Sequence, residues 1–333
     1  MNPHLKHQVI DIQQLEVGNK MEREQKIISI PEGLDQDRVD TALARFLGLS
    51  RSVVVSLIEA GEVIRNGKAM IKSDKVASDE VIEILMPAAK RAPALTATPI
   101  EGMKVVYNDD HVIVIDKPAG VAAHPSPGWQ GTTVIGGIVA AGYRVSTSGA
   151  AERQGVVHRL DVGTTGLMVV AKDEISYSDL KDQFRDRTVT KVYHAMIQGH
   201  MDPTEGTIDA PINRHPKEDY RFAVVADGKP SVTHYKALEL FPAVSLMEVE
   251  LETGRTHQIR VHFSALHHPL VGDLTYGADH TISERLQINR PWLHARELKF
   301  RHPITGEALE FFAEYPEDLT RSLAILAANQ LRN

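Results

Sequence analysis

The run Gly155-Val156-Val157-His158-Arg159-Leu160-Asp161-Val162-Gly163-Thr164-Thr165-Gly166 sets a guanidinium and a carboxylate two residues apart, just ahead of an apolar stretch at 167–171. A loop that leads through Thr and Gly into an apolar strand holds its side chains rigidly, as a reactive group requires. By chemistry alone Asp161 has three possible uses: nucleophile, general base, or structural partner of a nearby arginine. The chain has no cysteine, which excludes thiolate nucleophiles, iron–sulfur clusters and cysteine zinc sites. Reactive groups must therefore be oxygen or nitrogen. A second run, Thr253-Gly254-Arg255-Thr256-His257-Gln258-Ile259-Arg260-Val261-His262, adds cations and histidines. A helix predicted over 256–266 would turn Ile259, Phe263 and Leu266 to the core and so aim Arg260. His257, His262, His267 and His268 raise metal-dependent hydrolysis as a rival reading. Their spacing gives no helical i, i+4 pair between His257 and His262, and no HExxH-like or acidic ligand pattern appears. Neither a metal nor a nucleotide cofactor is expected, since a nucleotide-binding glycine loop is also missing.

These residues need a scaffold, and 333 residues suggest about two domains. An apolar share of 42% with 24% charged residues matches an ordinary soluble protein, and no run approaches the ~18 apolar residues of a membrane span. With no secretory pattern at the N-terminus, a cytoplasmic protein without membrane partners is expected. Net charge is −7 and no block is basic overall, so nucleic-acid binding would rest on local cations. Residues 1–25 read as a flexible tail in which Met21 offers a second start. From Ile27 the pattern tightens, and Val39, Leu43, Phe46 and Leu47 recur at helical spacing up to Gly48. Ser50 stands at an N-cap position before a second helix carrying Val54, Leu57 and Ile58, with Gly61 as its terminator. Val63-Ile64, the turn Asn66-Gly67 and a strand at 81–85 complete a unit spanning 26–87. The Pro-containing stretch 88–103 reads as a linker. Strands are expected near 112–115, 167–171, 192–198, 232–240 and 244–252, with helices near 175–187 and 256–266. This is a mixed α+β body over 104–320, followed by a C-terminal tail at 321–333.

Arg38-Val39-Asp40, Ser50-Arg51-Ser52, Gly61 and Asn66-Gly67-Lys68, in this order, resemble the S4 RNA-binding module. The resemblance implies that Arg38, Arg51, Ser52 and Lys68 meet RNA phosphates, at helix starts and a hairpin turn. One departure is Asp79-Glu80, where the module commonly has a Gly-Asp turn, so that loop should be less basic or differently bent. The Asp161 run resembles the His-Arg-Leu-Asp signature of the RluA-type pseudouridine synthases. Val112-Ile113-Val114-Ile115-Asp116-Lys117-Pro118-Ala119-Gly120, Thr190-Lys191-Val192-Tyr193, the Arg260 run, His268 to Asp273 with Tyr276-Gly277, and Leu293-His294-Ala295 follow the same family in order. The match covers residues 104–320. With the S4-like unit in front, the chain resembles the two-domain members that act on large-subunit ribosomal RNA.

That resemblance implies a mainly antiparallel, mixed α+β catalytic domain behind a small α/β S4 domain, acting as a monomer on ribosomal RNA or an assembly intermediate. It also implies an isomerase that needs no cofactor. In the family the carboxylate matching Asp161 is catalytic, the tyrosine matching Tyr193 stacks on the target base, and the arginine matching Arg260 keeps the carboxylate ionised. The arginine matching Arg159 fills the space left by the flipped uridine. Lys117, Lys172, Arg187, Lys191 and Arg255 stand as contacts to the RNA backbone. The rival reading, an S4-type RNA-binding protein without catalysis, would be marked by an altered Asp161 or Tyr193, and both are present.

Overall fold

A computed structural model describes residues 25–47, 51–86, 96–126, 128–150, 153–218 and 220–330. The chain divides into two units, Met1–Arg91 and Ala92–Asn333. The expected features at 1–24, Gly48, Ser50 and 88–95 lie outside the described residues. Among the described residues no helix is long and apolar enough to cross a membrane.

The first unit opens with β1 (Gln25–Ser29), a strand that the sequence signalled only through Ile27. Helix α1 (Val39–Leu47) buries Val39, Ala42 and Leu43, the one-face spacing of an amphipathic helix. Helix α2 (Arg51–Glu59) ends where Gly61 takes φ 72°, a left-handed cap that a Cβ would strain. Strands β2 (Val63–Arg65) and β3 (Lys68–Ala69) form a hairpin. Asn66 and Gly67 both adopt positive φ (50° and 73°), as a type I′ turn demands. Strand β4 (Val81–Leu85) completes an antiparallel sheet of order β1-β4-β2-β3. Val54, Leu57 and Ile58 of α2 close the core over Ile82 and Ile84. At the departure from the S4 pattern Asp79 itself takes φ 61°, a conformation Asp tolerates better than most residues, and Glu80 accepts from Arg65 (3.2 Å).

The two helices of this unit are tied by one buried carboxylate. Asp40 accepts from Arg38 Nε (3.1 Å) and from Arg51 Nη2 (2.8 Å). The hydrogen bonds from Arg38, opposed by burial and reinforced by Arg51, hold its pKa down at about 2. A depressed carboxyl contributes stability that is complete above its unfolded value near 4 and is lost as pH falls toward 2. Asp40→Asn should therefore destabilise this unit by about 1–2 kcal/mol at pH 7, a modest figure because both arginines are half-exposed. It should also flatten the acid limb between pH 4 and 2. Hydrogen exchange of the α1 and α2 amides in the full chain checks both effects.

The second unit is built on one large sheet. Its strands are β5 (Lys104–Asn108), β6 (Val112–Lys117), β7 (Thr165–Ala171), β8 (Thr190–Gln198) and β9 (Glu205–Asp209). They continue with β12 (Val232–Leu240), β13 (Val244–Leu251), β14 (Leu293–Arg301) and β15 (Ala308–Phe312). A separate hairpin pairs β10 (Ile212–Arg214) with β11 (Phe222–Val224). The order is β5-β6-β7-β14-β8-β13-β12-β9, with β15 beside β14. Only β7 and β14 run parallel, so the sheet is mainly antiparallel. Strands β6 and β7 are covered on both faces and read as unbroken apolar runs for that reason.

Alternation along the strands sorts their side chains into two cores. Ile113, Ile115, Met168, Val170 and Tyr193 join α3 (Val134–Ala140) and α5 (Gln258–Ala265) on one face. Val112, Val114, Leu167 and Val169 meet Leu180 of α4 (Glu174–Arg185) on the other. Two expected boundaries differ from the observed ones. Part of the linker belongs to the catalytic body: Thr98 N–H donates to the Gly136 carbonyl (3.3 Å), and Ile100 and Met103 pack against the core. The C-terminal stretch read as a tail from 321 is the greater part of a helix. After the short α6 (His280–Arg285), α7 (Glu317–Gln330) buries Leu319, Ser322 and Leu326 beside Trp292. Trp292 Nε1–H donates to Ser322 Oγ (2.7 Å), so this helix is a wall of the domain.

Candidate active site

Asp161 lies in the loop that enters β7, and nearly every peptide group around it is anchored. The Thr164 N–H donates back to the Asp161 carbonyl (3.0 Å), and the Gly120 N–H donates to the Val162 carbonyl (2.9 Å). Arg290 Nη1 donates to the Gly163 carbonyl (3.0 Å). Gly166, at φ 111°, lets β7 approach β14 so closely that a Cβ there would sit 2.2 Å from the Ala295 carbonyl oxygen. Only glycine fits. Arg290 is itself forked onto Asp318 of α7 (2.7 and 3.0 Å). The first turn of the helix whose later part was read as a tail thus braces the loop carrying the carboxylate. Asp318→Ala should slow single-turnover catalysis about tenfold through lost orientation and cost about 1–2 kcal/mol of stability, with RNA affinity little changed. Quench-flow and denaturant melts would check this.

The sheet and α5 converge on Asp161 from another direction. Arg260 Nη1 donates to Asp161 Oδ2 (3.2 Å), while its Nε and Nη2 fork onto Asp273 (2.6 and 2.9 Å). Asp273 is buried, and Gly272 before it at φ 80° lies where a Cβ would meet the Arg290 carbonyl at 2.0 Å. The Tyr276 ring lies 4.8 Å from the Arg260 guanidinium carbon. Burial disfavours the Arg260 charge, but hydrogen bonding and the charge of Asp273, then Asp161, outweigh it and raise the guanidinium above its usual range. It stays a cation. His257, left-handed at φ 57°, places Nε2 3.8 Å from Asp161 Oδ2 and Nδ1 2.8 Å from the Tyr276 hydroxyl. That hydroxyl also accepts the Phe222 N–H (3.0 Å), which leaves its proton available to His257 Nδ1 in the tautomer that turns the imidazole hydrogen toward the carboxylate. Burial, offset in part by the Asp161 charge, lowers the His257 pKa and keeps the ring neutral.

Asp161, Arg159, Tyr193, His257 and Arg260 line one pocket of about 90 Å³. The Tyr193 side chain is buried within the sheet's core, and its hydroxyl makes no hydrogen bond among the described residues. Burial first, and the Asp161 charge second, raise its pKa and hold it as a phenol. Arg159 is exposed at the mouth and forms no ion pair with Asp161, whose cation is Arg260.

The other candidate contacts separate. Lys117 is fully buried and donates to the carbonyls of Pro118, Val121 and Val162 (3.0, 2.9 and 3.3 Å). It braces the Asp161 loop from within and cannot reach an RNA backbone. Burial, with a counter-pull from Asp161, lowers its ammonium to about 7. Lys172 is likewise buried, bonded to Asn108 Oδ1 (2.9 Å) and to the Asp109 carbonyl. Lys191 and Arg255 do line a cavity beside the pocket. In the first unit Lys68 is exposed, Arg38 and Arg51 keep about half of their side-chain surface while holding Asp40, and the Ser52 side chain lies outside the described residues. The histidine cluster disperses. His262 bonds Thr233 and the Ala210 carbonyl, His268 bonds the Gln198 carbonyl, and no group of three metal-ligating side chains converges among the described residues. Asp273, Tyr276, Arg290 and Asp318 were not singled out from sequence. Asp273 and Tyr276 sat in motif runs without a role, and nothing local marked the Arg290–Asp318 pair.

Comparison with known proteins gives consistent matches. The family model for RNA pseudouridylate synthases matches residues 111–265. An uncharacterized RNA pseudouridine synthase of Mycobacterium bovis is 54% identical over 297 residues, covering 89% of this chain and 96% of the relative. Ribosomal large subunit pseudouridine synthase D of Xanthomonas campestris is 37% identical over 313 residues, covering 91% and 93%. Among solved structures, human RNA pseudouridylate synthase domain containing 1 superposes with a TM-score of 0.53 at 30% identity, covering 66% of this chain and 86% of that one.

Proposed function

The chain belongs to the RNA pseudouridine synthase family, and from that membership we propose that Asp161 is its catalytic nucleophile and that its substrate uridine lies in large-subunit ribosomal RNA. The observation that carries the nucleophile is the 3.2 Å contact between Asp161 Oδ2 and a buried arginine fixed on its other side by Asp273. An ionised carboxylate in a partly dry pocket needs such a counter-charge to stay reactive. The isomerisation breaks the N1–C1′ bond, turns the uracil, joins C5 to C1′, releases the C5 proton and leaves a proton on N1, with nothing oxidised or reduced and no atom lost or gained overall. Asp161 adds either to the pyrimidine ring or to C1′ and is expelled when the new bond is complete. Tyr193 supplies the wall on which the detached base turns. Arg159, exposed at the mouth and without an ion pair among the described residues, fills the gap in the RNA stack and so offsets the few kcal/mol of flipping.

The ribosomal target rests on relatives such as the Xanthomonas large-subunit enzyme, matched along nearly its whole length. The S4-like unit, with Lys68, Arg38 and Arg51 on its surface, is read as a second RNA contact that raises the effective concentration of a long substrate. The test is carbodiimide mapping of ribosomal RNA from a deletion strain against its parent. Loss of one or a few large-subunit pseudouridines is expected, restored by the wild-type gene and not by Asp161→Asn. Loss confined to transfer RNA would move the substrate elsewhere.

A further inference from the structure

Beside the Asp161 pocket lies a larger cavity of about 550 Å³, and the two share Arg159, Tyr193, Leu251, Gly254 and Arg255 in their walls. The larger one is lined by Lys181, Arg185, Arg187 and Lys191 as well, against a single carboxylate, Glu252. Most of these cations have an occupation. Arg187, turned by a left-handed backbone at φ 59°, reaches Glu252 (3.3 Å), and Arg185 pairs with Asp182 and Asp186. Lys191 does not. Its residue is 8% exposed, yet its ammonium makes no hydrogen bond or ion pair among the described residues and lies only against the Phe184 ring, 5.8 Å from its centroid. Phe184 is in turn stacked on His158 at 4.6 Å, so the platform beneath the lysine is rigid.

The residue is buried, but its ammonium is not closed off from solvent, and a cation that faces this cavity with no protein counter-ion is free to pair with an anion bound there. Burial lowers the pKa of Lys191, with Glu250 pulling the other way and Arg187 adding to the fall. The position of the lysine says which anion. Lys191 and Tyr193 are two residues apart on β8, so they point to one face of the sheet about 7 Å apart. That is the reach from a nucleobase held at Tyr193 to a phosphate of its own strand.

We propose that the cavity around Lys191 is a phosphate subsite that takes a phosphodiester adjoining the target uridine, holding the strand in register while the base turns against Asp161. The proposal rests on the reading of the Asp161 pocket as the uridine site. It makes Lys191 a binding residue whose partner is the RNA backbone.

The test uses the full chain and a synthetic oligoribonucleotide spanning the uridine it modifies, or the ribosomal fragment it binds. Lys191→Met should weaken binding at least ~10-fold, raise KM more than it lowers kcat, and reduce the salt slope by about 0.7, the value of one single-strand phosphate contact. Lys191→Arg should restore binding to within about threefold. A scan of neutral methylphosphonate linkages needs no variant: one substitution next to the uridine should weaken wild-type binding and leave Lys191→Met unchanged. Wild-type affinity in a folded Lys191→Met, or methylphosphonate effects that simply add to the mutation, would overturn the subsite. So would competition by inorganic phosphate at Lys191 with no methylphosphonate sensitivity, since the anion would then not be the strand's own. Absence of pseudouridine from wild-type reactions would instead strike the reading of the Asp161 pocket, and the binding arms would still decide the subsite.

Discussion

Asp161→Asn should lower the single-turnover rate of pseudouridine formation by ~10⁴-fold or more while leaving RNA affinity within about threefold. The amide keeps the size and shape of the carboxylate and can still accept from Arg260 Nη1, 3.2 Å away in the wild type. It cannot add to a ring carbon or to C1′ as an anion. The loop should not collapse, because its anchors are the backbone carbonyls held by Gly120, Lys117 and Arg290. Tritium release from C5-labelled RNA in rapid-quench mode measures the effect. A variant turning over within tenfold of wild type, with deamidation excluded by mass spectrometry, would remove Asp161 from the nucleophile's role.

Arg260→Met should lower the same rate about 100- to 1000-fold and destabilise the catalytic domain by about 3–5 kcal/mol. The reason is double. Methionine removes the cation that faces Asp161 and, at once, the forked partner of the buried Asp273 carboxylate. Two carboxylates that shared one cation repel one another once it is gone. Arg260→Lys restores the charge but not the fork that grips both carboxylates, and it should fall between the two. Wild-type turnover in a folded Arg260→Met would contradict the pairing. Circular dichroism and thermal melts separate the loss of rate from loss of fold.

Local chemistry was legible wherever neighbours in sequence are also neighbours in space. Helix α1 followed from Val39 and Leu43, the type I′ turn from Asn66-Gly67, the cap of α2 from Gly61, and β6 and β7 from apolar runs. The motif around Asp161 marked the reactive loop for the same reason, as a contiguous string mounted on a strand. Strand β14 escaped notice because its second half, Arg296 to Arg301, alternates charge with Leu298 and Phe300 and reads as surface. It is nonetheless central, since β15 takes the place of β7 along that half. Helix α7 was passed over because its value lies in covering Trp292, a contact made across the fold. Lys117 and Lys172 looked like solvated cations beside Pro118 and Asp173, yet carbonyl groups converge on both inside the protein. Sequence alone determined those elements whose pattern is local and which side chains have reactive chemistry, because periodicity and turn preference act over a few residues. The tertiary structure decided which charge meets which: Asp161 and Arg260 are 99 residues apart, and Gly163 and Arg290 are 127 apart. Burial and ion pairing arise only when the sheet and α5 close on one another, so no local pattern could have assigned those partners.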